Sequence, residues 1–387
     1  MIRATVTAVL AAVALLIASP GFTQSTRTEQ VEEVKSEKAA QLLPPTREAG
    51  DLVVSKVENF FRPDPPAARL TFGDFRPGAG LALGALLEVP VGERGMWTGT
   101  GAVSINRFKD VATSIAVPPF TTDRVRVRAT ARWEDAPDLS FFGIGMDTAP
   151  SGEMTYGLRS TDVGGDVRVR GPWRFGYGAV LKYTRVESND GAGDVPAIAD
   201  TSLSEWLHSE AYAEIDTRLS PGYTTTGGLY HVSFHDYAGR DSAPSFRRTE
   251  IDLRQFVPVL HDNWIVALQA RADLTASANG LEVPFFMMPS IGGRDTLPGF
   301  ENYRFTDRNS LLLRGELRWT ASPIVDMAAF VDTGTVAARV GLLDLHDMQH
   351  SWGIGARIHG PSYTALRLQV AHSVEGWRYN IAQGVSF

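Results

Sequence analysis

Taken two residues at a time, the run from Arg124 to Trp133 separates into a basic face and an apolar face. Arg124, Arg126, Arg128, Thr130 and Arg132 fall on one side, and Val125, Val127, Ala129, Ala131 and Trp133 on the other. Successive side chains of a strand point to opposite faces, so a period of two predicts β-structure. The scheme recurs along the chain. Trp264, Val266, Leu268, Ala270, Ala272 and Leu274 oppose Gln269, Arg271 and Asp273; Leu311, Leu313, Leu317 and Trp319 oppose Arg314, Glu316 and Arg318; Leu366, Leu368 and Val370 oppose Arg367 and Gln369. Gly, Pro, Asn and Asp separate these runs from about Ala68 onward, which predicts an all-β chain rich in turns.

Alternation alone does not choose between a soluble sandwich, with its apolar face inward, and a membrane barrel, with that face turned to lipid. Three features favour the barrel. The alternating runs are about nine to eleven residues long, the length of a tilted bilayer crossing. Trp133, Trp264, Trp319 and Trp377 sit at run ends, where interfacial aromatic belts lie. The polar faces carry mixed charges, as a wet lumen requires. The last run adds a fourth argument: Trp377, Tyr379, Ile381, Val385 and Phe387 share one face, broken only at Gln383, and predict a lipid-facing strand that closes the sheet.

The first residues read as an export signal. Arg3 precedes the apolar run Ala8–Ala18, and Ser19-Pro20-Gly21 predicts cleavage near Gly21. That run is shorter than the roughly 20 residues of a spanning helix. Residues 1–21 are therefore expected to be a signal peptide. Residues 22–64 are expected to be a short periplasmic extension, partly helical or disordered, and 65–387 an outer-membrane antiparallel β-barrel of about 16 strands. The chain has no cysteine, so a closed sheet rather than disulfides must hold it together. Its net charge of −7 speaks against a nucleic-acid partner.

The segment most distinct from this texture is Ile291-Gly292-Gly293-Arg294-Asp295-Thr296-Leu297-Pro298-Gly299-Phe300, followed by Arg304 and Arg308. It predicts a long ordered loop in which Gly299 permits a tight conformation and Phe300 anchors by burial. Phe330-Val331-Asp332-Thr333-Gly334 then places one acid at a strand end.

These motifs resemble the bacterial surface antigen superfamily, the barrel-assembly BamA and TamA group and its two-partner-secretion relatives, most clearly from Ile291 to the C-terminus. In that family a Gly-Gly start leads to a Val/Leu-Arg-Gly-Phe/Tyr loop that folds into the lumen, where its arginine meets acids of the wall. Gly292, Gly293, Leu297, Gly299 and Phe300 match the loop, and Phe330, Asp332 and Gly334 match the Phe-x-Asp-x-Gly wall motif. Pro298 stands where the family has its arginine, and Arg294 is the candidate substitute toward Asp332. On that expectation Arg294→Ala and Asp332→Ala loosen the loop equally. Residues 24–62 are too few for the family's periplasmic modules.

The resemblance implies insertion or translocation of a protein or lipid client. It implies as partners outer-membrane lipid, the assembly machinery that inserts the barrel itself, and an unfolded protein client. A passive solute channel and a structural surface barrel are the alternatives. No enzyme, cofactor or metal is expected. The chain lacks G-x-S-x-G, and His231, His235, Asp236, His346, Asp347 and His350 read as lumen or rim residues. The stripe Arg124, Arg126, Arg128 and Arg132 reads either as a phosphate or anion path or as a solvated lumen face balanced by Glu210, Glu214, Glu250 and Asp252.

Overall fold

The computed structural model describes residues 68–387 apart from 74–75, 119–123, 171–172, 189–203, 242, 261–262, 278–282, 361, 383 and 386. The expected signal peptide and periplasmic extension lie outside the described residues. The strands, in chain order, are β1 (Ala68–Gly73), β2 (Ala82–Val91), β3 (Gly95–Ser104), β4 (Lys109–Val117), β5 (Val125–Phe141), β6 (Met154–Val169), β7 (Arg174–Ser188), β8 (Ser204–Asp216) and β9 (Gly227–Arg240). They continue as β10 (Phe246–Leu260), β11 (Trp264–Ser277), β12 (Ser290–Ile291), β13 (Phe305–Thr306), β14 (Asn309–Ser322), β15 (Val325–Ala337), β16 (Gln349–His359), β17 (Thr364–Ser373) and β18 (Gly376–Ala382). Among the described residues, every strand except β12 and β13 joins one antiparallel 16-stranded sheet in which neighbours in sequence, these two apart, are neighbours in the sheet. The pair β12–β13 forms its own two-stranded sheet. The strand number matches the expectation. The strands exceed the expected length, up to 17 residues in β5, so they project beyond the lipid band.

The orientation of the side chains decides between sandwich and membrane barrel. On β14, Arg314, Glu316 and Arg318 are buried while Leu317 and Trp319 are exposed. On β15, Asp332 is fully buried and its neighbour Val331 is 58% exposed. The same inversion holds for Arg357 against Ile354 and Ile358, and for Arg367 against Leu368. A continuous outer band of Leu, Val, Ile and aromatic side chains around buried charges is untenable in water and matches hydrocarbon outside with a polar lumen inside. Trp264 stacks on Trp319, its register partner, with ring centroids 5.9 Å apart at one rim of that band.

The two ends of the barrel differ. Connections 92–94 and 323–324 are tight hairpins at one end, whereas 142–153, 283–308 and 338–348 are long and lie at the other. Short turns mark the periplasmic end and long loops the outer surface. One periplasmic connection breaks the pattern. Residues 217–226, between β8 and β9, reach past β10 and β11 to the far wall. There Tyr223 stacks on His359 at 3.8 Å and donates to Asp326 at 3.2 Å. Thr364 Oγ1 donates to the Gly222 carbonyl at 3.1 Å, and Arg318 Nη1 donates to the Thr224 carbonyl at 3.0 Å. This strap is a chord across the periplasmic mouth.

A charge on the outer face should expose the inversion. Val331→Arg at the middle of β15 is expected to destabilise the folded barrel by about 2–4 kcal/mol, while Thr130→Arg on the lumen face of β5 changes stability little. Denaturant titration in lipid vesicles, read by tryptophan fluorescence, checks both; equal losses would contradict the assignment of faces.

Candidate functional site

Between β11 and β14, the loop of residues 283–308 folds inward and docks on the inner wall made by β14 to β18. Its anchor is apolar. Ile291, Leu297, Phe300 and Phe305 pack with Leu312 of β14 and Val336 of β15, and the Phe300 and Phe305 rings meet edge to face at 5.2 Å. Two positive-φ glycines, Gly292 (122°) and Gly293 (86°), turn the chain into this position, a conformation that L side chains rarely adopt.

At the tip the backbone itself is held. The Gly299 N–H donates to Ser351 Oγ at 2.8 Å, Ser373 Oγ donates to the Gly299 carbonyl at 2.7 Å, and Asn380 Nδ2 donates to the Pro298 carbonyl at 2.9 Å. Gly299 is required by close approach rather than by an unusual φ. A Cβ there would lie 2.8 Å from Ser351 Oγ and from the Ser373 Cβ. The Pro-Gly pair thus brings main chain directly onto β16, β17 and β18.

Charges surround the tip, and their pairing differs from the sequence expectation. Asp332 is met by Arg314, directly opposite it in the β14–β15 register, at 3.2 Å with both side chains buried. Arg294 instead lies against Asp295 at 3.4 Å, and its Nη1 donates to the Ile381 carbonyl. The physical reason is proximity. The register fixes the Arg314 guanidinium beside Asp332, whereas Arg294 sits on the side of the loop turned toward β18. The acid next to it does cross to the wall: Asp295 accepts from Arg367 at 3.0 Å, and its carbonyl accepts from Arg314 at 3.1 Å. Below these, Glu316 is gripped by Arg318 and Arg357, all three buried. Farther along the loop Arg304 binds Glu375 at 2.6 Å and Thr148 Oγ1 at 2.7 Å, and Glu301 binds Arg378 at 2.5 Å. Phe330, on β15, is buried on the lumen face, and Gly334 lies against Ile291 of the loop.

The C-terminal residues also depart from expectation. Trp377, Tyr379 and Ile381 do face outward, at 58, 80 and 54% exposure. The strand ends at Ala382, however, and Gly384 takes φ 81°. Val385 is half-buried. Phe387 is 5% exposed and packs inside the lumen on Phe256, Ile265 and Ala267. Its ring lies 4.9 Å from the Arg314 guanidinium and 5.9 Å from that of Arg318. A turn at Gly384 and an aromatic-arginine bed inside the barrel draw the terminal ring away from lipid.

The histidines fall on or around the lumen. His231 meets Glu214 at 3.2 Å, and His235 lies between Ser233 and His208 at 2.9 and 3.1 Å. Ser233 is buried. His346 is exposed in the outer loop, where the hydrogen bond and charge of Asp344 raise its pKa above the usual imidazole value. Among the described residues no three His, Asp or Glu side chains converge as a metal shell.

A family model, the Omp85 superfamily domain, matches residues 98–387. The chain belongs to the Omp85 superfamily. Among solved structures it resembles BamA from Haemophilus ducreyi lacking POTRA domains 1–3, at 16% identity and a TM-score of 0.61, over 88% of this chain and 77% of that one. It also resembles CdiB from Escherichia coli, at 14% identity and a TM-score of 0.54, over 82% of this chain and 60% of that one. CdiB from Acinetobacter baumannii gives 12% identity and a TM-score of 0.50, over 82% and 59%. The chain therefore spans about three fifths of either CdiB. No curated protein matches it in sequence. The inverted faces require lipid around the barrel, and membership of the superfamily makes that lipid the outer membrane; the likeness to these structures is one of fold.

The pairing around the loop yields unequal mutational costs. Asp332→Ala leaves a buried Arg314 without its carboxylate and is expected to cost about 3–5 kcal/mol. Arg294→Ala, which loses a partly exposed ion pair, is expected to cost under about 1 kcal/mol. Gly299→Ala forces the tip off the wall at about 1–3 kcal/mol. The temperature at which the compact band disappears in heat-modifiable electrophoresis ranks the three, and equal shifts for Asp332→Ala and Arg294→Ala would refute the Arg314 assignment.

Proposed function

We propose that this barrel assists insertion or translocation of a protein client at the outer membrane, using the seam between β1 and β18 as the site where a client strand pairs. The observation that carries this reading is that, among the described residues, no register joins β1 to β18. The closing strand β18 is also short, 7 residues against 13 to 17 for β5 to β8. The ladder between β17 and β18 ends at the Arg367–Ala382 pair, beyond which the Gly384 N–H donates to the Thr364 carbonyl at 3.2 Å. Open strand edges offer unpaired N–H and C=O groups, and an extended segment satisfies them by adding a strand. The docked loop supports the same reading. It ties β14 to β18 to one another from inside, so the wall on that side stays in register when the seam gives way.

The loop and the periplasmic strap both cross the lumen, which speaks for a closed resting barrel over a passive channel. The absence of cysteine makes the seam testable by engineered cross-links. Leu70→Cys with Tyr379→Cys, and neighbouring pairs, are introduced along β1 and β18, and the barrel is reconstituted in vesicles with an unfolded barrel substrate. Oxidised pairs are expected to lose the acceleration of substrate folding and to regain it on reduction. Undiminished acceleration with the seam cross-linked, or a large steady conductance of the unmodified barrel in a planar bilayer, would overturn the proposal.

A further inference from the structure

The lumen is filled unevenly. The loop fills its outer half, against β14 to β18 and, through Phe285 and Phe286, against β5, β6 and β8, while the periplasmic half of the β5–β9 side holds an open cavity of about 530 Å³. The sequence of β7 explains the space. Its lumen-facing positions after Arg174 are Gly176 and Gly178, and the Tyr212 ring lies where a Cβ of Gly176 would stand. With no side chains projecting there, the floor of the cavity is main chain and one phenol.

Arginines crowd this cavity. Arg168, Arg170 and Arg174 line one side, and Glu210, Glu214 and Tyr212 line the other. The arginine set continues onto β5. Arg126 is the direct register partner of Arg168 on the same face, and the Arg170 N–H donates to the Arg124 carbonyl at 2.6 Å. Like charges directly opposite on a sheet repel, and the nearby Asp166 offsets this only in part, since it is shared with Arg128.

The local acids do not meet the demand. Asp166 is shared by Arg128 at 2.6 Å and Arg168 at 2.7 Å. Arg174 takes Glu214 at 3.2 Å and Asp216 at 3.1 Å, and Asp216 also holds Arg218 at 2.9 Å. Arg124, Arg126 and Arg170 have no side-chain acceptor among the described residues, against the single carboxylate of Glu210 across the cavity. A basic surplus at one spot in a chain of net charge −7 runs against the overall sign.

We propose that this periplasmic arginine cavity is a binding site for a phosphate group. Planar guanidinium forks on several chain positions match an anion with three or more acceptor oxygens, whereas a carboxylate offers two and the site already contains carboxylates of its own. The cavity lies away from the seam and from the docked loop, so it is separate from the strand-pairing site proposed above. The phosphate comes either free or on a lipid headgroup, and titration with both probes distinguishes these sources.

The full-length barrel, in nanodiscs of zwitterionic phosphatidylcholine, is titrated calorimetrically with inorganic phosphate and with short-chain phosphatidylglycerol. Saturable binding that weakens as salt rises is expected. The double variant Arg126→Gln/Arg170→Gln should weaken it at least about tenfold, whereas Arg247→Gln, on an exposed pair with Asp236, should leave it unchanged. Tighter binding of the short-chain lipid assigns the site to a headgroup, and tighter binding of inorganic phosphate assigns it to the free anion. In phosphate-free buffer the double variant should melt no earlier than the parent, because it relieves repulsion; a purely structural role would lower its melting temperature. Binding unchanged in the double variant, or binding of a glutamate-rich peptide with none of either phosphate probe, would overturn the proposal.

Discussion

Hydrocarbon supplies no hydrogen-bond partner, so a chain that crosses it with strands must satisfy each backbone group through a neighbouring strand. That demand orders the rest of this structure. It sets a ladder of 16 strands with sequence neighbours side by side. It turns Leu, Val and Trp outward, and it forces the charged half of every strand into a confined lumen where charges must find one another. The buried pairs of Arg314 with Asp332, and of Glu316 with Arg318 and Arg357, are the result. Among the described residues, no register joins the two ends of the ladder, β1 and β18.

The docked loop shows how one lumen can be organised with the charges rearranged. The superfamily signature puts an arginine on the loop and acids on the wall. Here the loop contributes the acid, Asp295, and the wall the arginine, Arg367. Asp332 keeps an arginine partner, but from the adjacent strand. Proline and glycine at 298 and 299 remove the long side chain and let serine and asparagine side chains of the wall grip main chain instead. A short-range, largely neutral contact thus occupies the place of a long-range ionic one.

The fold was legible in the sequence because a period of two survives any detail of register: Arg124 to Trp133 and Leu311 to Trp319 read correctly without knowledge of their neighbours. The partners of charged residues were not legible, since they depend on register. Arg314 and Asp332 are 18 positions apart in the chain and directly opposite in the sheet, and nothing in the local pattern announces that. Gly299 was readable as a constrained position, but its constraint is the nearness of Ser351 and Ser373, which lie on other strands. Phe387 misled because alternation was carried through Gln383 and Gly384. The polar break and the glycine were the two signs that the strand had ended.

The strap at 217–226 has a mechanical consequence. On the outer side, the docked loop reaches β5 and β6 through Phe285 on Phe141 and Tyr156, and the 76–77 segment through Tyr303. On the periplasmic side the strap ties β8 and β9 to β14 through β17. Among the described residues no such chord reaches the periplasmic half of β6 and β7, where Gly176 and Gly178 line the inner surface. A thinning of the bilayer therefore alters the girth of the barrel first at that stretch of its periplasmic rim.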